Sequence, residues 1–189
     1  VTVTALGNTP FNAAPFNIDG NLLVQTVAGS GDVTLDAATN LFGGTLGGTK
    51  TLSITDNGDT LTATAAQLTG AVVTDVGTAH IIVNDLTNAV TFDASNFSTA
   101  GNLTVNTKSD GGTSITLTAG TKINNATTAG TETNNITDGD DTLTGTVAQL
   151  TGLTITDTAV GNVTATALDG AAAYDFSNVS IDGNLLVQT

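Results

Sequence analysis

Nine residues occur twice without a single change: Ile18-Asp19-Gly20-Asn21-Leu22-Leu23-Val24-Gln25-Thr26 returns as residues 181–189. A looser copy, Ala100-Gly101-Asn102-Leu103-Thr104-Val105-Asn106-Thr107, lies near the midpoint. Two longer stretches, 59–70 and 141–152, differ at only two of twelve positions and stand 141 − 59 = 82 residues apart. Self-similarity at a fixed period marks an array of stacked units, so the chain divides by its repeats before any fold is considered. It reads as the tail of one unit (1–26) followed by two full units, 27–107 and 108–189. An array that starts inside a unit and stops at a unit end is expected of an excerpt from a longer protein, or of a subunit whose two ends resemble each other.

Within each unit, short runs rich in Thr, Val, Ile and Leu alternate with Gly, Asn and Asp, the pattern of strands separated by turns. Aliphatic and polar residues alternate inside the runs: Leu52 and Ile54 against Ser53 and Thr55, Ile115 and Leu117 against Thr116 and Thr118, Leu153 and Ile155 against Thr154 and Thr156. One face is then aliphatic and the other rich in threonine. Runs are read at 21–26, 32–36, 51–55, 60–64, 71–75, 81–85, 90–93, 103–107, 114–118, 142–146, 153–157, 163–167 and 185–189. Residues 64–68 and 146–150 predict about one helical turn each, as does the stretch 37–41.

The expected class is all-β, and two architectures fit. In a β-solenoid, coils of about 20 residues stack strand on strand at roughly 4.8 Å, with about four coils per unit. Strand starts near residues 50, 71 and 90 and the shortage of aromatics favour it. The alternative is a string of small Ig-like β-sandwich domains, one per unit. The chain has six Phe, one Tyr and no Trp or Met, so the bulky anchors of a sandwich core are scarce.

Charge limits the partners. Three lysines and no arginine stand against sixteen Asp and one Glu, for a net charge of −14. Nucleic acid and anionic membrane surfaces both need basic side chains, so neither is expected as a partner. No apolar run approaches the ~18 residues of a membrane-spanning helix, and no basic-then-apolar leader is visible. The absence of cysteine excludes disulfides and thiol chemistry.

The best candidate for a ligand site is Asp138-Gly139-Asp140-Asp141-Thr142-Leu143-Thr144-Gly145, with its counterpart Asp56-Asn57-Gly58-Asp59-Thr60-Leu61. Gly139 to Gly145 resembles one turn of the calcium-binding RTX nonapeptide repeat. That resemblance implies Ca²⁺ at Asp138, Asp140 and Asp141, and by analogy at Asp56 and Asp59. The pattern does not recur at nine residues, so adjacent turns cannot share an ion as in that family, and a plain Asp/Gly turn between two strands is the better account of it. Asp19 and Asp182 read as turn residues.

Catalysis finds no footing. His80 is the sole imidazole and has no counterpart in the other unit, so it reads as a surface or packing residue. Gly43 to Lys50 lacks the Gly-Lys-Ser/Thr order of a phosphate loop and reads as a flexible loop. Asn-x-Ser/Thr occurs at Asn96, Asn102, Asn125, Asn135, Asn162 and Asn178, about as often as the composition produces by chance.

In its Thr/Gly/Asn/Asp/Ala-rich repeats the whole chain resembles bacterial tandem-repeat surface proteins: RTX-type adhesins, surface-layer proteins and extracellular filament subunits. The resemblance implies a non-enzymatic structural protein, extracellular or on the cell surface, forming a filament, stalk or lattice. The matching end segments suggest head-to-tail self-association through Ile18, Leu22 and Val24 with Ile181, Leu185 and Val187, because one chain's terminus can take the place of the same strand in the next. The rival reading is a calcium-dependent adhesin or glycan-binding module. A β-helix polysaccharide-active enzyme comes third, disfavoured by the missing arginine.

Overall fold

A computed structural model gives the fold, and it describes residues 1–29, 31–88, 90–109, 114–123, 127–139, 141–168, 170 and 173–189. The strands begin with β1 (Thr2–Leu6), β2 (Asn17–Ile18), β3 (Leu22–Thr26), β4 (Val33–Thr34), β5 (Thr45–Leu46), β6 (Lys50–Ile54) and β7 (Thr60–Thr64). A one-turn helix α1 (Ala65–Leu68) follows, then β8 (Val72–Asp75), β9 (His80–Leu86), β10 (Phe97–Thr99), β11 (Leu103–Thr107) and β12 (Ile115–Thr116). The remainder is β13 (Thr127–Thr128), β14 (Glu132–Ile136), β15 (Thr142–Thr146), α2 (Val147–Leu150), β16 (Thr154–Asp157), β17 (Asn162–Thr166), β18 (Val179–Ser180) and β19 (Leu185–Val187). The chain is all-β.

Among the described residues four sheets form: β1-β3-β6-β8-β10-β13, β4-β7-β9-β11-β14-β16-β18, β12-β15-β17-β19 and the short pair β2-β5. Among the described residues every strand pairing is parallel. The Ig-like alternative is thereby overturned, since that sandwich is antiparallel. The physical reason lies in the turns. Asp56 to Asp59, which has the composition of a hairpin turn, instead carries the chain from β6 in one sheet to β7 in another. Paired strands are then always separated by long connections, as parallel pairing requires.

The spacing differs from the uniform 20 residues expected. Registers step by 28 from Leu22 to Lys50, by 21 from Thr51 to Val72 and by 24 from Val73 to Phe97. After those three returns to one sheet, the next strand, β11, belongs to the neighbouring sheet. The repeat therefore shifts elements between sheets. Strands β6, β7 and β8 and helix α1 all recur 82 residues later, as β14, β15, β16 and α2. The three copies of the Gly-Asn-Leu segment, β3, β11 and β19, stand in three different sheets.

The core is a set of aliphatic ladders running across the strands. Val24, Leu52, Val73 and Phe97 lie in register and are fully buried. In the seven-stranded sheet Ala63, Val83, Val105, Asn134 and Ile155 form the equivalent line. Each large apolar side chain buried this way contributes about 1.5–3 kcal/mol. The expected alternation holds for Leu52 and Ile54, Ile115 and Leu117, and Leu153 and Ile155, all buried.

Three local expectations are corrected. Residues 90–93 make only an isolated bridge, Asp93 with Lys122, and no strand. The stretch 37–41 turns on the Thr39 N–H to Asp36 carbonyl bond without becoming helical. Gly43 to Lys50 is no free loop: it contains β5, and a Cβ at Gly44 would stand 2.3 Å from the Phe16 carbonyl oxygen. Small residues are needed there because two chain segments touch backbone to backbone.

Candidate functional site

The two identical segments meet opposite fates. In β3, Leu22 and Val24 are 0 % exposed, held between β1 on one side and β6 on the other. In β19, Leu185, Leu186 and Val187 are 41 %, 49 % and 39 % exposed. Strand β19 pairs with β17 and ends its sheet. Ile18 and Ile181 are half-buried against the core. Of the six residues expected to mediate self-association, the structure thus puts Leu22 and Val24 inside and offers Leu185 and Val187 at a free strand edge.

The corners before β3 and β11 share one device, and the Gly-Asn pair that opens β17 repeats it towards the third copy, whose Asn184 is the donor. A Gly-Asn pair precedes the strand, and the asparagine carboxamide accepts a backbone N–H from the adjacent segment. Asn21 Oδ1 accepts from Thr49 at 2.8 Å, Asn102 Oδ1 from Thr131 at 2.9 Å, and Asn162 Oδ1 from Asn184 at 3.0 Å. At the second and third copies, though not at Gly20, the corners nearly touch: a Cβ on Gly101 or on Gly183 would lie 2.1 Å from the carbonyl oxygen of Ala79 or Gly161. This stacking of corners fixes where the strand edges fall.

The acidic turns are occupied by backbone duties. Asp56 accepts the Gly29 N–H, and Asp32 accepts the Thr60 N–H at 2.7 Å. Partial burial raises the Asp59 carboxyl above its ordinary value, and the neighbouring Asp56 and Asp32 carboxylates push it further the same way. In the second unit Asp138 accepts from the Ser109 hydroxyl at 2.8 Å and Asp141 is buried, while Asp140 lies outside the described residues. Among the described residues no three His, Asp or Glu side chains converge. Several other acids accept backbone N–H bonds close to them in the chain, Asp36, Asp75, Asp93, Asp157 and Asp175 among them. Asp93 is partly desolvated, but hydrogen bonds from Ser95 and the Lys122 ammonium at 3.3 Å hold its carboxyl below the usual range. Ser177 does the same for Asp175.

His80 is a structural acceptor: its Nδ1 receives the Asn102 N–H at 3.0 Å. A groove of about 250 Å³ runs over the seven-stranded sheet, lined by Thr62, Thr64, Asn84 and Asn106 among others, with Asp85 its titratable side chain. Asn106 donates to Asn84 at 2.7 Å, so the amides stack into a ladder rather than aim at a ligand. No helix in the described residues is long and apolar enough to cross a membrane. Sequence reasoning named the end segments and the Asp-Gly-Asn turns at Asp19 and Asp182 but missed the asparagine's bond across the corner, whose signal was the recurrence of Gly-Asn at 20–21, 101–102, 161–162 and 183–184.

No family model, curated protein or solved structure matches the chain.

Proposed function

We propose that the chain is a non-enzymatic structural protein of an extracellular or cell-surface assembly, built as a three-sided parallel β-solenoid that associates head to tail with copies of itself. The observation that carries the reading is the recurrence of one strand sequence, as β3, β11 and β19, in successive parallel sheets, so that equivalent layers return at a fixed step along the chain. A strand edge with free N–H and C=O groups and apolar side chains is a template for pairing. The parallel registers and the passage of β3, β11 and β19 through successive sheets support the solenoid. In that geometry one unit makes three turns and steps on by one side.

The experiment is electron microscopy with light scattering on the 189-residue chain and on a version lacking 181–189. Fibres or lattices are expected from the first and dispersed particles from the second. Monodisperse single chains at every concentration would sink the reading. Undiminished assembly after the deletion would remove β19 from it.

A calcium-dependent adhesin is the second reading; the repulsion of Asp59 by Asp56 and Asp32 favours it, although these residues form no group of three placed to hold a metal ion. A rise in melting temperature on millimolar CaCl₂, absent with MgCl₂, would support it. Equal, small responses to both salts would count against it.

A further inference from the structure

We infer that Asn57-Gly58 is a self-modifying turn: in the folded chain the Gly58 amide nitrogen closes on the Asn57 carboxamide, ammonia is released, and an aspartyl or isoaspartyl residue is left at 57. The inference stands apart from the self-association reading and needs no contact between copies.

Asn57-Gly58 is the only Asn-Gly pair in the sequence. Glycine matters here because a side chain on the attacking residue obstructs closure of the ring. Gly58 is exposed, and even a Cβ placed on it would meet nothing within 4 Å. Its N–H has no acceptor among the described residues. An amide that must give up its proton in order to attack is thus held by no hydrogen bond.

The carboxamide is prepared as well. Asn57 Oδ1 accepts the Thr78 N–H at 2.8 Å and the Thr78 hydroxyl at 2.7 Å. That oxygen takes the negative charge when nitrogen adds to Cγ, so the two donors stand where an oxyanion hole places them. The notch exists because residue 77 is glycine: a Cβ there would lie 2.7 Å from Asn57 Oδ1. Asn57 is exposed and its Nδ2, the leaving nitrogen, has no partner among the described residues. Ammonia therefore departs into water.

The step needs water alone. The Gly58 nitrogen bonds to Asn57 Cγ, and the Cγ–Nδ2 bond breaks. The proton lost from Gly58 ends on the departing –NH₂, giving ammonia. Water then opens the five-membered imide at one carbonyl or the other, leaving aspartate or its β-linked isomer.

The other unit has no such pair, since Gly139 and Asp140 stand in place of Asn57 and Gly58. The reaction gives the first turn three acids (Asp56, residue 57 and Asp59), the number the second carries as Asp138, Asp140 and Asp141. An aspartate at 57 keeps both Thr78 bonds, now strengthened by charge. It also adds to the repulsion that Asp56 and Asp32 exert on Asp59.

The test incubates the folded chain and the urea-unfolded chain side by side in mildly alkaline buffer. Mass spectrometry with peptide mapping follows the replacement of –NH₂ by –OH at residue 57. The folded chain is expected to convert faster. Thr78→Val removes the hydroxyl donor and should slow the folded chain about tenfold, less than the roughly 10²–10³ of a buried oxyanion donor because water competes here. In urea the same substitution should change nothing, and Thr78→Ser should keep the folded rate. Slower conversion in the folded chain than in urea overturns the proposal, because the turn then protects Asn57. Equal folded rates with Thr78 and with valine in its place overturn it too, because the lability then belongs to the dipeptide and not to the fold.

Discussion

Asn134 occupies the place that Leu52 holds 82 residues earlier, in the middle of a buried ladder between Val105 and Ile155. It is 3 % exposed, and neither its amide nitrogen nor its oxygen has a hydrogen-bond partner. A buried polar group left unsatisfied costs about 1–3 kcal/mol. The first unit already displays the remedy, because leucine fits the same site there. Asn134→Leu is expected to stabilise the chain by about 1–3 kcal/mol, read as a higher urea midpoint at unchanged slope. A loss of stability would mean that the interior at this level is too narrow for leucine, or that the amide has a partner. Such a residue is tolerable because a polar break in one ladder penalises register slips, which would bring a different residue inward.

At the scale of the element, Gln67 and Gln149 show how a one-turn helix survives. Each closes a capping box with its threonine, Thr64 or Thr146. Each also reaches with Nε2 to two carbonyls of the preceding segment: Asp36 and Thr39 for Gln67, Thr118 and Thr121 for Gln149. A helix of four residues has no stability of its own; the glutamine pins it to its neighbour. Gln149→Ala removes half the box and two cross-links, each worth about 0.5–1.5 kcal/mol. A total loss of about 2–3 kcal/mol is expected in urea unfolding, matched by Gln67→Ala; a change below about 0.5 kcal/mol would show that solvent replaces the glutamine. The single turns and strands such as β7, β11 and β15 were legible because aliphatic alternation or a Thr-x-x-Gln signature marks them. β14 was not, since Glu-Thr-Asn-Asn-Ile presents one aliphatic residue and inherits its pairing from β11. Connectivity was not legible either: Asp/Gly turns look alike whether they fold a hairpin or turn a corner. The end segments could be singled out by their identity, but identical sequences cannot foretell that one is covered and the other bare.

For the whole molecule, the passage of one repeated strand through three sheets fixes the symmetry of any fibre that continues the repeat. A fibre that repeats every two units advances at each copy by the separation of β3 from β19. On the solenoid reading each unit makes three turns and one side, so two units make six turns and two sides of three. With strands about 4.8 Å apart, that is an axial rise of about 32 Å per copy and a rotation of about 240°. Every third copy then returns to the same orientation, at about 96 Å. Layer lines at these spacings are expected in electron micrographs of fibres, together with a meridional reflection near 4.8 Å. Four uniform coils per unit would instead give about 38 Å per copy with no rotation between copies. The rotation is the sharper discriminator, because it follows from the order of the sheets and not from the strand spacing: an unrotated fibre would contradict the one-side step, whatever its rise. A rotating filament also presents the threonine and asparagine face of each unit in a different direction, so that face is displayed all around the fibre.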